Sequence, residues 1–257
     1  MAYSVGIDLG TTNLKVAFVD RSGRIKGLAK KEIEYDQQDL GEGRNLCEFS
    51  ADYFTESLRS AIETARIACG ASISDIEGIS YSSQANTFLL LNASKIPLTP
   101  IISWQDTRAA DFGDEIGGLS GHPDYLRISG MGISSTGLTA AKLLWFQKHK
   151  PDLWKQTRHV MSISDYLCFL LTGKSVGDSG TASLSGLQNI QEGTWWPEAL
   201  KIIGITEAML PVLHRPGAVL GRISREGANI LGLPEGIPVA AGSLDHHAAG
   251  VGCGAGS

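Results

Sequence analysis

The chain has 257 residues, a formal net charge of −5 and 42% hydrophobic residues, a globular composition long enough to bury a sizeable core. The negative balance excludes a broad basic face and with it nucleic acid as a partner. No apolar run approaches the ~20 residues of a membrane span, and "MAYSVGIDLG" enters a strand without a signal-like segment, so the reading is a cytoplasmic protein with no membrane partner.

In chain order, "YSVGIDL", "LKVAFVD" and "RIKGLAKKEIEY" read as three strands of an antiparallel meander, with a Gly turn before the third. "SADYFTESLRSAIETARIACG" reads as an amphipathic helix over one sheet face: Ser50 is the N-cap, Phe54, Leu58, Ile62 and Ala65 share a face, and Gly70 is the stop. "IEGISYSS", "TFLLLN" and "PIISW" read as further strands. From Asp106 onward "DTRAADFGDEI", "TGLTAAKLLWFQKHKPDLW", "SISDYLCFLLTG" and "WWPEALKIIG" carry helical spacing. The chain then returns to α/β with "REGANILGL", a strand "GIPVAAGS" and a helix entered near Asp245. The closing small-residue run "DHHAAGVGCGAGS" looks like the first turns of a helix without a capping signal, as in a domain whose partner domain is missing.

The four cysteines, Cys47, Cys69, Cys168 and Cys253, form no Cys-x-x-Cys pair, and the adjacent His246 and His247 point in different directions, so neither a zinc site nor a disulfide framework is expected. Trp145, Trp154, Trp195 and Trp196 read as helix packing.

The stretch "GIDLGTTNLK" carries the chemistry. A strand that ends on Asp8 and turns through Gly-Thr-Thr exposes N–H and hydroxyl donors at a sheet rim. Such a hairpin can hold phosphate oxygens while Asp8 holds Mg²⁺, chiefly through water because Mg²⁺ gives up its hydration reluctantly. An ordinary β-hairpin is the plain alternative. A Walker A loop differs, because its glycines precede a helix and a Lys follows directly; here Lys15 falls on the second strand, as an electrostatic helper or a surface residue.

"GIDLGTTNLKVAFVD", "ISYSSQANTFLLLN", "PIISWQDTRAA", "LTAAKLLWFQKHKPDLW", "SDYLCFLLTGKSVGDSGTASLSG" and "IPVAAGSLDHHAAGVGCGA" stand in the order and spacing of the FGGY carbohydrate kinases, which the chain resembles over its whole length. The resemblance implies an α/β, ribonuclease H-like fold of the actin and sugar-kinase superfamily, a mixed sheet flanked by helices with a helical insertion. It implies that residues 1–257 are the N-terminal, substrate-binding domain, and that a C-terminal ATP-binding domain with the adenosine pocket lies outside the chain. It further implies ATP and Mg²⁺ as cofactors, held by Asp8, Thr11, Thr12, Asn13 and Lys15, and Asp245 as the base that takes the acceptor's proton. Asp8 and Asp245 are expected on adjacent strand ends. A carboxylate suits this work, because phosphoryl transfer has a loose transition state in which positioning outweighs base strength.

Gln84, Ala85 and Asn86 match the segment that holds the sugar in this family, and Trp104, Asp106 and Arg108 match a Trp-x-Asp-x-Arg block that resembles xylulokinases and gluconokinases. Core packing is the plain reading of Trp104, and Arg108 is expected to orient Asp106. Asp165 and Asp178 are read as caps or braces, outside the catalytic set. Xylulokinases carry Met-His after the glutamine and glycerol kinases Arg-Glu, where this chain has Ala85-Asn86. The implied substrate is therefore a ketopentose or a related polyol or sugar acid, with glycerol disfavoured. Beyond it, the expected partners extend at most to a second copy of the chain. The competing readings are a non-catalytic sugar or nucleotide sensor on the same fold and an actin-like or chaperone-like ATPase. The second has no use for the sugar blocks. A pure binder needs no proton acceptor beside a metal-holding carboxylate.

Overall fold

The meander forms where alternation predicts it. In the computed structural model, which describes residues 1–255, β1 (Tyr3–Leu9), β2 (Asn13–Asp20) and β3 (Ile25–Glu32) pair antiparallel. β1 buries Tyr3, Val5, Ile7 and Leu9 on one face and turns Ser4, Gly6 and Asp8 to the other, the period-2 consequence of a pleated strand with one face on the core. A polar hairpin, β4 (Asp36–Gly41) and β5 (Arg44–Phe49), follows. Sequence reading passes over it because β4 is exposed along its whole length and exists by pairing with β5.

Helix α1 (Ala51–Cys69) begins with the Ser50 hydroxyl accepting the Tyr53 N–H and ends on Gly70 at φ 68°, the left-handed position that favours glycine. Phe54, Leu58, Ile62 and Ala65 are buried, each of the three large side chains contributing about 1.5–3 kcal/mol of transfer free energy. The helix lies so close to β3 that a Cβ on Gly27 would stand 2.2 Å from the Ala65 carbonyl oxygen.

β6 (Ile76–Ser83) pairs parallel with β1, and β7 (Phe88–Leu91) and β8 (Ile101–Ile102) join β5 in a second sheet. The helical region then holds α2 (Gly113–Ser120), α3 (Tyr125–Ser129), α4 (Thr139–His149) and α5 (Pro151–Gln156). Two helical expectations are corrected here. "DTRAADFGDEI" is helical only from Gly113, because the Asp106 carboxylate accepts the Arg108 N–H and folds the segment into turns. The long segment to Trp154 breaks at Lys150, where Pro151 starts a second helix.

β9 (His159–Ser162), α6 (Ile163–Thr172), β10 (Val176–Asp178), α7 (Ser179–Ala182), β11 (Gln188–Asn189), β12 (Thr194–Trp195), α8 (Pro197–Ile203), β13 (Val212–His214), β14 (Val219–Arg222), α9 (Arg225–Leu231), β15 (Pro238–Ala240), β16 (Ser243–Leu244) and α10 (Asp245–Gly252) complete the described chain. Gly256 and Ser257, the end of the closing small-residue run, lie outside the described residues. The main sheet runs β14-β15-β6-β1-β2-β3, with β16 also paired to β6; the second runs β4-β5-β8-β7-β9. One core joins the main sheet to α1, α6 and α9, and another is built by the helical region with Phe88, Leu90, Trp195 and Trp196. No helix among the described residues is long and apolar enough to cross a membrane.

β15 and β16 are two halves of one strand position, interrupted at Ala241-Gly242. A Cβ on Gly242 would meet the Tyr81 carbonyl oxygen at 2.0 Å and the Tyr81 ring at 2.5 Å. Because part of that clash is with backbone, Gly242→Ala is expected to cost about 1–3 kcal/mol, read as a lower urea midpoint at unchanged slope.

Candidate active site

Asp8, the penultimate residue of β1, lies on the face turned away from α1. In the parallel register Asp8 stands opposite Ser82, and Ser82 opposite Ser243. The Ser82 hydroxyl donates to Asp8 Oδ1 at 2.8 Å, and Lys15 Nζ lies 2.9 Å from Asp8 Oδ2. Asp245 follows β16 as the first residue of α10. The expectation of adjacent strand ends is thereby corrected: β6 lies between them, setting the two positions about 9.5 Å apart across the sheet, two strand spacings. Their side chains are 30% and 34% exposed, so both are open to a ligand.

Two depressions meet at Asp245. One, of about 860 Å³, is lined by Asp8, Gly10, Lys15, Ser82, Asp245 and His246 among others. The other, of about 900 Å³, is lined by Thr11, Gln84, Ala85, Asn86, Trp104 and Asp245 among others. Asp245 and His246 border both, and His246 Nδ1 lies 3.5 Å from Asp245 Oδ1.

Not every expected site residue faces this cleft with a free polar group. Gln84 is 3% exposed; its Nε2 donates to the Gly10 carbonyl at 3.2 Å, and its Oε1 accepts from Thr11 and Thr87. Asn86 sits at φ 58°, donates to the Leu184 carbonyl and accepts the Thr139 N–H at the start of α4, both at 3.0 Å. Thr12 is exposed at the hairpin tip, and Asn13 starts β2.

Asp106 and Arg108 do not line the cleft. They are 0% and 5% exposed. Arg108 Nε donates to Asp106 Oδ1 and Nη2 to Oδ2, both at 2.8 Å; Arg108 also pairs with Glu48, while Asp106 accepts the Cys47 N–H. A guanidinium fork and a carboxylate saturate one another in this way, so the expectation of direct substrate contact gives way to a buried brace beneath Trp104. Asp165 and Asp178 are braces as read: Asp165 closes a capping box with Ser162, and Asp178 accepts the Thr181 N–H and the Tyr81 hydroxyl. Burial raises the Asp165 carboxyl to about 7.

Sequence reasoning missed Lys142. It is fully buried and donates to the carbonyls of Gly137 at 3.0 Å and Trp104 at 3.3 Å. Its signal was a lysine in the apolar run "LTAAKLLWF", one turn before the buried Phe146. Burial lowers its pKa to about 8, against the attraction of Asp106. Between about 8 and 10.5 the unfolded chain therefore binds a proton that the folded chain does not, so stability rises with pH across that window. Relative to Lys142→Met, wild type is expected to gain about 2–3 kcal/mol between pH 7.5 and pH 10 in paired urea titrations.

The residues present fit Mg²⁺. No group of three or more His, Cys, Asp or Glu side chains forms a closed metal cage among the described residues, and the donors at hand are the oxygens of Asp8 and Ser82 with the Asp245 carboxylate across the cleft. That hard, incomplete oxygen set suits an ion that keeps several waters and takes its other ligands from phosphate.

The sequence matches the family model described as "FGGY family of carbohydrate kinases, N-terminal domain" over residues 3–252. It is 29% identical over 254 residues to the xylulose kinase of Lactococcus lactis, covering 99% of this chain and 50% of that protein. Among solved structures, the xylulose kinase from Rhodospirillum rubrum superposes with a TM-score of 0.86 at 27% identity, covering 98% of this chain and 51% of the other. The gluconate kinase from Lactobacillus acidophilus gives 0.83 at 26%, covering 96% and 48%. The chain spans about half the length of the curated relatives it matches. These likenesses bear out the expected fold, a mixed α/β sheet of the actin and sugar-kinase type flanked by helices.

Proposed function

Since the chain belongs to the FGGY family of carbohydrate kinases, we propose that it forms the acceptor half of an ATP-dependent sugar or polyol kinase, with Asp245 as the general base. The observation that carries this reading is the place of Asp245 on the border between a depression holding Asp8 and Lys15 and one walled by Trp104. An acceptor on the Trp104 side presents its hydroxyl to Asp245. As the new O–P bond to the γ-phosphorus forms and the bond to ADP breaks, the hydroxyl proton passes to the Asp245 carboxylate. Asp8, oriented by Ser82, would hold Mg²⁺ through water; when bound, the ion supplies positive charge to the phosphate oxygens. Lys15 adds charge beside Asp8, while exposed Thr12 and the hairpin backbone face the phosphates with Asn13 behind them. Asp106 and Arg108 hold the floor under Trp104.

The acceptor class proposed is a ketopentose or a related polyol or sugar acid. Asn86 commits its amide to Leu184 and Thr139, and the cleft carries neither the Met-His nor the Arg-Glu pair. A thermal-shift screen tests this: a ligand that prefers the folded chain at 100 times its Kd adds about 2.7 kcal/mol. Ketopentoses and pentitols are expected to raise the melting temperature and glycerol to leave it unmoved. A panel in which no sugar, polyol or sugar acid shifts it would remove the acceptor site. Binding without any phosphorylation by the intact protein would point to a sensor.

A further inference from the structure

A cavity of about 550 Å³ lies beside the acceptor depression, between β7, β9, α4 and the segment from α7 to β12. Asn86 borders both spaces. Phe88, Leu143, Val160, Leu187 and Trp195 give the cavity an apolar wall, and two of its polar side chains are left with unused atoms. Thr181 is 5% exposed, and its hydroxyl is buried without a hydrogen-bond partner. Asp165 is 8% exposed; its Oδ2 accepts the Ser162 N–H at 2.8 Å, while Oδ1 has no hydrogen bond among the described residues.

A buried carboxylate is stable when a cation or a full set of donors answers it. The titratable groups that face Asp165 are Asp178, Cys168 and Tyr81, and all three are acids. Burial pushes the Cys168 thiol and the Tyr81 phenol up, so both stay neutral, and Asp178 repels a charge on Asp165. Asp178 itself is satisfied by the Thr181 N–H and the Tyr81 hydroxyl. No lysine, arginine or histidine forms an ion pair with either carboxylate among the described residues. We propose that this cavity binds a small apolar primary amine, its ammonium donating to Asp165 Oδ1 and the Thr181 hydroxyl oxygen while its apolar body lies against Phe88, Leu143 and Trp195. An ammonium has three protons to give and supplies the missing charge. A neutral alcohol of the same shape answers the hydrogen bonds but leaves the charge unpaired, and an anion is repelled. The inference stands apart from the reading of the cleft, since Asp8 and Asp245 take no part in it.

The test follows the Trp195 indole, whose Nε1 donates to the Pro211 carbonyl at 2.8 Å on the cavity wall. In the intact protein labelled with ¹⁵N at the tryptophan indoles, the resonances lost in Trp195→Phe and Trp104→Phe identify the two side chains. Titration with isobutylamine or benzylamine at mildly alkaline pH is expected to move the Trp195 resonance and leave that of Trp104, in the acceptor depression, in place. Asp165→Asn keeps the shape and still accepts the Ser162 N–H, yet the titration midpoint should rise about ten- to a hundredfold, the range of a hydrogen bond to a charged group. Thr181→Val should raise it about fivefold, the size of one net neutral hydrogen bond. Because burial raises the Asp165 carboxyl to about 7, its ionised fraction grows as the solution passes from acid to alkaline, and amine affinity should rise about tenfold between about pH 6 and pH 8. Isobutanol and benzyl alcohol should bind more weakly and without that pH dependence. A Trp195 resonance that neither amine moves overturns the proposal, as does equal binding by amine and alcohol or an unchanged midpoint in Asp165→Asn. The comparison of amine with alcohol uses the unsubstituted protein, so it decides even where a variant fails to fold.

Discussion

Asp245→Asn is expected to slow ATP-dependent phosphorylation of the best acceptor about 10²- to 10⁴-fold in the intact protein, the usual contribution of a positioned general base. Asparagine has nearly the shape of aspartate and can still accept a hydrogen bond from the acceptor hydroxyl, so acceptor binding should persist. What it cannot do is take the proton as the O–P bond forms. The loss should therefore fall on kcat with the acceptor KM little changed, the pattern of an interaction realised only in the transition state. Asp8→Asn should fail differently: it removes the negative charge opposite Lys15 and leaves a neutral amide oxygen that attracts Mg²⁺ less, so its defect should be partly relieved by raising the Mg²⁺ concentration. Wild-type turnover in Asp245→Asn would end the base assignment.

The second large effect is on stability. Arg108→Met is expected to destabilise the chain by about 3–5 kcal/mol, because it strands a buried carboxylate without its guanidinium. Asp106 is fully buried, and Arg108 answers both of its oxygens while also pairing with Glu48. Methionine retains the apolar contact with the rings of Trp145 and Phe146, over which the guanidinium carbon lies at 5.3 Å, so the loss reports charge more than packing. Arg108→Lys should recover only part of it, since an ammonium cannot reproduce the two-pronged geometry. Urea denaturation at pH 7 measures the series. An Arg108→Met chain within about 1 kcal/mol of wild type would show the brace to be dispensable. Asp106→Asn that altered acceptor preference at full stability would instead return Asp106 to the substrate-binding residues.

Much of the fold was legible in one dimension. The alternation of Tyr3, Val5, Ile7 and Leu9, the helical stripe of Phe54, Leu58, Ile62 and Ala65, and the stop at Gly70 depend on near neighbours, and the structure follows them. The β4–β5 hairpin was not legible, because a polar strand with no buried face leaves no hydrophobic period to read.

For the site, residue order alone names the available groups: an aspartate near a strand end before a Gly-Thr-Thr turn, a second aspartate after a late strand, and a polar-aromatic block between them. Which of these face the cleft depends on how the chain packs. β6 separates the strands leading to Asp8 and Asp245, Arg108 consumes Asp106, and Gln84 spends its amide on Gly10, Thr11 and Thr87. The reason is that a strand's period sets the face a side chain leaves from, while its hydrogen-bond partner is set by residues tens of positions away. A buried polar group takes whichever partner the packing brings within 3 Å, since leaving it unpaired costs more than any local preference returns.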